Sequence, residues 1–431
     1  GCAAGMKHVT AACVTGGNPE KLVRIPDLSG FDKTEVVIPR SSRNQYDHAI
    51  RNIGVKIITV ETPEELGRAL NPRTAMIYLL AGEETLPGQP FSVEAVAKMA
   101  KPLNIPVLVD AAAEDLTIPN VHLESGATVV AYSGGKALCG PQCAGLVLGR
   151  KDILMSAWQA SSPHHGTGRD NKVGKEEMLG MLAAVESWVK RDHVEKMNTW
   201  YSYLDTISKR VSSIDGVKTN LQNPQGLSNH SPSLAISWDP EKFNIDGRDL
   251  AEEMATKQPR IAVHSSYRDD SGNTSITISS GQMQPGNDKV VADRIFNLLS
   301  QKRAKSKEMS PPVANITGHW DVDIEFFSSR SQHTFFIEQQ DGNWIQGAHK
   351  GDFSTRDMVG TIEGDQVKLS SADRQVADNI PFIFSGIVSD DKMSGQIYLG
   401  EYINARFTAT RHIQEVVRRP IRFPKGQPLS S

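Results

Sequence analysis

Cysteine is scarce in this 431-residue chain, and its distribution is uneven. The four cysteines are Cys2, Cys13, Cys139 and Cys143, so everything after residue 143 has none. A disulfide framework would need bridges in the parts that it supports, which argues against one here. Cys139 and Cys143 flank Gly140-Pro141, but no second cysteine or histidine pair follows at a spacing typical of zinc. We therefore predict no metal site.

An excess of one charge and a long apolar run are also missing. The chain has 47 basic and 50 acidic residues and a formal net charge of −3, which gives no electrostatic basis for binding nucleic acid or an anionic membrane. No run approaches the roughly 18 apolar residues of a membrane span, and no signal-peptide pattern opens the chain. We expect a soluble cytoplasmic protein without nucleic-acid or membrane partners.

Two short runs of apolar residues end abruptly in polar or small residues. They are Val107-Leu-Val-Asp110 and Thr128-Val-Val-Ala-Tyr-Ser133, and the second leads into Gly134-Gly-Lys136. Such runs are typical of strands buried on both faces of a parallel sheet. Because ligands of open α/β sheets bind beyond the carboxyl ends of the strands, we expect Asp110 and Lys136 to meet at a ligand site.

A lysine beside a carboxylate at this edge suits pyridoxal 5′-phosphate (PLP). The amine would form the Schiff base, and the anion would keep the pyridine nitrogen protonated. We interpret the glycines around Lys136 as room for the backbone to approach a ligand. The alternative is a solvent-exposed lysine. Ser133-x-x-Lys136 also matches a hydrolase motif, but the glycines that follow Ser133 disfavour this interpretation. A nucleotide-binding phosphate loop is disfavoured because Ala137 stands where such loops have the Ser or Thr that binds magnesium.

The same region resembles a known family. Asp110-Ala-Ala-Ala-Glu-Asp-Leu116, Ser133-Gly-Gly-Lys136, Gly140-Pro-Gln142 and Gly145-Leu-Val-Leu-Gly-Arg-Lys-Asp152 are similar to fold-type I PLP-dependent enzymes related to selenocysteine synthase, most of all to the D-glucosaminate-6-phosphate ammonia-lyase branch. The resemblance runs from about residue 1 to about residue 301. It implies that Lys136 forms the Schiff base, that Asp110 pairs with the pyridinium nitrogen, that Ala112 packs against the ring and that the Ser133 hydroxyl lies near the phosphate.

Further site residues follow from the same resemblance. Residues 1–15 read as a helix of small residues, and Cys2 and Ala3 would donate backbone N–H groups to the cofactor phosphate. Family members usually carry several tens of residues before this turn, so we expect a segment to be missing here. Ser42 stands where relatives place a ring that stacks on the cofactor, and Tyr46 or His48 could substitute.

A glycine-rich loop at 161–170 is too long and polar to be a mere connection. It continues into Gly168-Arg-Asp-Asn-Lys-Val-Gly-Lys-Glu-Glu177, which resembles a family stretch whose cations face the substrate. Arg169 is the candidate for binding a substrate carboxylate or phosphate through a bidentate fork. A solvated loop charge is the alternative.

The order of strand and helix patterns predicts the domains. Strands and helices alternate through Leu148, which favours a doubly wound α/β large domain over 1–150. One long helix from Glu176 to Val211 and strands at 233–238, 260–263 and 275–278 suggest linking helices and an α+β small domain over 151–301. A charged linker at 302–312 precedes about eight alternating strands over 313–412, which predict an antiparallel lipocalin-like β-barrel. Residues 413–431 are expected to be a disordered tail.

We therefore expect a PLP-dependent lyase. The resemblance implies α,β-elimination with release of ammonia from a small hydroxylated, anionic amino acid or amino-sugar acid. A homodimer is expected because fold-type I relatives generally complete the site across their interface. An aminotransferase or a racemase is the alternative, as is a non-catalytic scaffold whose barrel binds a ligand.

Overall fold

The computed structural model describes residues 1–305, 308–376 and 378–412. The expected disordered tail, residues 413–431, lies outside the described residues. The chain divides into two compact units, residues 1–306 and residues 307–431. Within the described residues, no helix has the length and apolar character that a membrane crossing needs.

A six-stranded sheet forms the centre of the first unit. Its strands are β1 (Glu35–Pro39), β2 (Lys56–Val60), β3 (Thr74–Leu80), β4 (Val107–Asp110), β5 (Val129–Ser133) and β6 (Gly145–Gly149), in the spatial order β2-β1-β3-β4-β5-β6. Strands β1 to β5 are parallel, whereas β6 pairs antiparallel with β5. The predicted α/β fold is confirmed, but a tight loop, not a crossover helix, joins the last two strands.

Helices cover both faces of this sheet and bury its aliphatic residues in two clusters. They are α1 (Cys2–Thr15), α2 (Pro19–Leu22), α3 (His48–Arg51), α4 (Pro63–Ala69), α5 (Val93–Ala100), α6 (Val121–Glu124) and α7 (Lys151–Gln159). The small residues of α1 allow it to pack closely on the sheet, and it ends where Gly16 adopts φ +61° and donates its N–H to Ala12.

Two long helices follow where one was predicted. They are α8 (Lys175–Lys190) and α9 (His193–Val211). The prediction of a single helix is wrong because Arg191 takes an extended conformation, and the Asp192 carboxylate then caps α9 by accepting the N–H of Glu195 at 2.9 Å.

A smaller α+β layer completes the first unit. It contains β7 (Lys218–Gln222), β8 (Ser233–Trp238), β9 (His264–Ser265) and β10 (Thr274–Ser279), in the order β7-β8-β10-β9, with α10 (Pro240–Phe243), α11 (Gly247–Thr256) and α12 (Asn287–Leu299). The predicted strand at 260–263 is wrong. The N–H of Ile261 bonds to the carbonyl of Met254 on α11, which keeps this segment away from the sheet.

The second unit is a closed antiparallel barrel of eight strands, as predicted. Its strands are β11 (Gly318–Glu325), β12 (Arg330–Asp341), β13 (Trp344–Lys350), β14 (Thr355–Glu363), β15 (Gln366–Gln375), β16 (Asp378–Ser389), β17 (Lys392–Tyr398) and β18 (Asn404–Arg411). Burial alternates along the strands, and Trp320, Phe335 and Phe384 are fully enclosed. The barrel therefore has its own apolar core.

The predicted linker divides between the two units. Arg303 donates to Glu253 of α11 at 2.9 Å, so it belongs to the first unit. Ser310 accepts a hydrogen bond from Asn343 at 2.7 Å, so it belongs to the barrel.

Candidate active site

Asp110 is the last residue of β4 and lies between β3 and β5. Its backbone is in register with Leu80 and Ala131, and its side chain is 2% exposed. A buried carboxylate is costly unless hydrogen bonds hold it. Asp110 accepts three such bonds, from the Tyr78 hydroxyl at 2.9 Å, from the Cys2 thiol at 3.1 Å and from the Ala112 N–H at 3.0 Å.

The donors around Asp110 stay protonated. Burial, and then the charge of Asp110, raises the pKa of the Cys2 thiol and of the Tyr78 phenol well above their ordinary values. The side-chain amide of Asn44 donates in turn to the Tyr78 hydroxyl at 3.0 Å. A chain of hydrogen bonds thus fixes the carboxylate at the edge of the sheet.

Lys136 lies in the turn just beyond β5, and its side chain is exposed. Its ammonium is 5.8 Å from the centre of the Tyr46 ring. Because β4 and β5 are parallel neighbours and Asp110 is in register with Ala131, the turn after β5 lies at the same edge of the sheet as Asp110. The structure therefore brings the predicted lysine and carboxylate to one edge, with Tyr46 as the nearby aromatic ring.

The glycines of the lysine loop have a different role from the one expected. A Cβ on Gly134 would lie 2.8 Å from the carbonyl oxygens of Pro141 and Ala144, and one on Gly135 would lie 2.9 Å from the Cα of Gln142. The close approach is therefore of the loop to itself. Hydrogen bonds from Gly134 to Ala144 and from Gly140 to Gly134 close this loop and hold Lys136 at its tip.

A cavity of about 890 Å³ opens beside Lys136. Its wall on the large-domain side includes Lys136 and Asp115, and its opposite wall includes Lys196, His193 and His230. The segment that carries His230 is held against the strand edge by main-chain hydrogen bonds, from Asp115 to Leu227 at 3.0 Å and from Asn229 to Ala113 at 2.8 Å.

The cavity walls are partly desolvated. Burial raises the pKa of the Asp115 carboxyl and lowers the pKa of the Lys196 ammonium. Both shifts show that charge in this cavity is less well hydrated than at the surface, and there electrostatic attraction to a ligand is stronger.

The remaining predicted residues lie at three different places. Cys2 and Ala3 form the first turn of α1, where backbone N–H groups have no acceptor within the helix. Ser133 ends β5 opposite Gly145, with its side chain half-buried. Arg169 is outside the cavity that holds Lys136 and donates to the Ser162 hydroxyl at 2.7 Å.

Sequence reasoning missed Tyr78, Asn44, Lys196 and His230. Only Tyr78 carried a local signal, because a phenol inside the aliphatic run of β3 must find a hydrogen-bond partner when it is buried. The other three come from distant parts of the chain, and nothing in their immediate neighbours marks them.

These groups fit PLP. The Asp110 carboxylate, the Lys136 amine and the free amides at the start of α1 correspond to its pyridine nitrogen, its aldehyde carbon and its phosphate. The Tyr46 ring beside the lysine could face the pyridine ring.

Parts of this chain are similar to known proteins. Residues 40–178 match the family model for aminotransferase class-V. The D-glucosaminate-6-phosphate ammonia lyase of Salmonella typhimurium is 30% identical over 231 residues, which are 52% of this chain and 60% of that protein. A 5′-C-glycyluridine monooxygenase-decarboxylase of a Streptomyces species is 28% identical over 273 residues, 61% of this chain and 66% of that protein.

More distant similarity extends to an L-seryl-tRNA(Sec) selenium transferase of Proteus mirabilis, 24% identical over 43% of this chain and 44% of that protein. The chain thus spans at most about two thirds of these curated relatives. The solved structure of a D-glucosaminate-6-phosphate ammonia-lyase matches with a TM-score of 0.60 at 24% identity, covering 69% of this chain and 79% of that one. Residues 40–178 accordingly match the aminotransferase class-V model, and the unit that contains them shares the fold of that solved structure, so the predicted fold-type I fold is confirmed.

Proposed function

We propose that this protein is a PLP-dependent lyase that releases ammonia from a small hydroxylated, anionic amino acid or amino-sugar acid by α,β-elimination. The observation that carries the proposal is the buried, triply hydrogen-bonded Asp110 at the sheet edge where the next strand leads into Lys136, which lines an open cavity. The similarity to a protein named D-glucosaminate-6-phosphate ammonia lyase favours elimination over the other reactions that such a site permits. We further propose that it acts as a homodimer in the cytoplasm.

The residues divide the work. PLP, when bound, withdraws electrons from the bonds at the amino-bearing carbon of the substrate. Asp110 would hold a proton at the pyridine nitrogen, and Lys136 would tether the cofactor. Tyr78 and Cys2 hold Asp110 in place through their hydrogen bonds. Ala112, Ser133 and the amides of Cys2 and Ala3 would orient the ring and the phosphate.

Lys136 would also move the proton of the elimination. Once the amino group of the substrate has displaced it from the cofactor, its Nζ would take the proton from the amino-bearing carbon and give it to the hydroxyl on the neighbouring carbon. That hydroxyl would leave as water while a carbon–carbon double bond forms. The resulting enamine then takes up one water, yielding a keto acid and ammonia. The balance requires no oxidant, reductant or amino acceptor.

The acid group of the substrate has two sets of candidate partners. Lys196 and His230 line the cavity that holds Lys136. Arg169 lies outside that cavity, so its proposed role requires the site of a second subunit and depends on the proposed homodimer.

The test is ammonia release without an added keto-acid acceptor. Protein loaded with PLP is incubated with D-glucosaminate 6-phosphate and with simpler β-hydroxy amino acids, and Lys136→Ala serves as the inactive control. We expect stoichiometric ammonia and keto acid. If the amino group instead appears on an added acceptor, or if only the opposite enantiomer accumulates, the aminotransferase or racemase replaces the lyase. If the protein binds no PLP at all, the non-catalytic scaffold becomes the better interpretation.

A further inference from the structure

Two histidines and one aspartate converge on the outer face of the barrel, where β11 meets β18. His319 and Asp321 are two residues apart on β11 and so lie on the same face. His412 directly follows β18, and its N–H bonds to the His319 carbonyl at 2.8 Å. The three side chains therefore lie on the same face of two paired strands, close enough to contact one another.

The side-chain atoms are close together. His412 Nδ1 is 2.8 Å from one carboxylate oxygen of Asp321, and His319 Nε2 is 4.0 Å from the other. The two imidazole rings stack with their centres 4.4 Å apart. One possible ligand atom from each residue lies within 4.8 Å of the other two.

We propose that His319, Asp321 and His412 bind a divalent transition-metal ion of the Zn²⁺ class. Two imidazoles and one carboxylate are ligands that such ions favour, whereas Ca²⁺ and Mg²⁺ prefer oxygen alone. Tetrahedral ligand bonds of about 2.0–2.2 Å place the ligand atoms roughly 3.4 Å apart. His319 must therefore move closer to Asp321, whereas His412 and Asp321 must move slightly apart. Side-chain rotation supplies that change, because all three side chains are at least one third exposed.

The backbone that carries the ligands is already fixed. Arg411, next to His412, donates to Asp391 at 2.6 Å and lies with its guanidinium 4.5 Å from the centre of the Trp320 ring. Trp320 sits between the two β11 ligands and is fully buried. Binding an ion therefore costs side-chain order but little main-chain order.

The location gives the ion a structural role. β11 and β18 are the first and last strands of the barrel, and their pairing closes it. Asp321 and His412 are 91 positions apart in the chain, so an ion that joins them closes a long loop. Because the unfolded chain does not bring the three ligands together, the ion binds the folded barrel and stabilises it. This inference does not rest on the proposed lyase activity.

Calorimetric titration of the full chain with ZnCl₂ tests the site. The thiols are first alkylated so that the exposed Cys139 and Cys143 cannot bind the ion. We expect one equivalent to bind and to raise the melting temperature of the barrel. Because second-shell changes already cost metal sites about 10- to 100-fold in affinity, loss of a ligand in His412→Ala or Asp321→Asn should cost at least about tenfold.

Asp323→Asn is the matched control, since Asp323 is an exposed carboxylate two residues farther along the same face of β11. Its affinity for Zn²⁺ should equal that of the unmodified sequence. The electron paramagnetic resonance spectrum of one bound equivalent of Cu²⁺ should show coordination by two nitrogens, and by one in His412→Ala. Absence of binding to the alkylated protein, or equal loss in Asp323→Asn and Asp321→Asn, would overturn the proposal.

Discussion

The hydroxyl of Tyr78 on β3 donates a hydrogen bond to the carboxylate of Asp110 on the neighbouring strand β4, with 2.9 Å between the oxygens. Tyr78 is itself held by the amide of Asn44, and Cys2 donates to the other carboxylate oxygen. These donors replace the water that burial removed from the Asp110 carboxylate, which is 2% exposed. The candidate active site is built on this carboxylate.

Lys136→Ala should abolish covalent capture of PLP. In the unchanged protein, borohydride should fix the cofactor to the peptide that contains Lys136, because this is the amine held at the tip of the lysine loop. Lys151→Ala, an exposed lysine at the start of α7, is the control and should still be labelled. Peptide mass spectrometry reads the result, and cofactor found on another lysine would disprove the assignment.

Asp110→Asn should bind PLP but turn over substrate slowly. A neutral amide cannot hold the proton on the pyridine nitrogen, so we expect a loss of roughly two orders of magnitude or more in kcat. Asp115→Asn, which removes a half-buried carboxylate from the cavity wall, should cost much less. Similar kcat values for Asp110→Asn and the unchanged protein would rule out Asp110 as the partner of the nitrogen.

Mixing two inactive variants should restore activity if Arg169 acts across a dimer interface. In mixed dimers of Lys136→Ala with Arg169→Ala, one site regains both residues, so a random mixture should recover about a quarter of the activity. Light scattering on the same samples reports the dimer. If the mixed dimers form but recover no activity, the cations of the cavity bind the substrate and not Arg169. In that case Lys196→Ala should raise KM, and Arg169→Ala should not.

A cut in the linker should release a first unit that still binds PLP. The best position is about residue 306 and not the end of the predicted linker, because Ser310 is hydrogen-bonded to Asn343 and Ile316 is fully buried in the barrel core. Both pieces have their own apolar cores and should remain folded by circular dichroism. Aggregation of either piece would mean that the two units depend on each other.

The barrel should lose stability in acid through a buried histidine. His349 is hydrogen-bonded to His333 and to Ser371. Its pKa is lowered to about 3, first by burial and then by the charges of His333 and Arg356. An unfolded histidine titrates near pH 6.5. Below about pH 6.5, His349 binds a proton in the unfolded chain but stays neutral in the folded barrel. The free energy of unfolding therefore falls as the pH drops toward about 3.

His349→Gln provides the comparison, since glutamine keeps hydrogen-bonding groups but does not titrate. Its free energy of unfolding should depend less steeply on pH over this range, by up to about one proton. Urea unfolding is monitored by hydrogen exchange in peptides from the barrel. This measures the pH dependence of the free energy of unfolding for the barrel alone. Equal slopes in both proteins would show that His349 does not carry the effect.

Local patterns in the sequence determined the secondary-structure classes and the two central residues. The aliphatic runs that end in Asp110 and Ser133 are typical of strands buried on both faces, and the alternation after residue 313 favours a half-buried antiparallel sheet. Such patterns are visible because burial repeats along a strand. They predict that Asp110 and Lys136 each follow a strand, and the parallel pairing of β4 and β5 then brings both to one edge.

The tertiary structure alone decided the partners. The Tyr78 hydroxyl meets Asp110 only because β3 and β4 are neighbours in this register. His230 lines the same cavity as Lys136 only because main-chain hydrogen bonds hold residues 227–229 against residues 113–115. His319 and His412 become neighbours only when the barrel closes. Hydrogen bonds and ion sites between such residues depend on distances between parts of the chain that are far apart in sequence. The sequence around one residue does not determine which distant side chain will contact it.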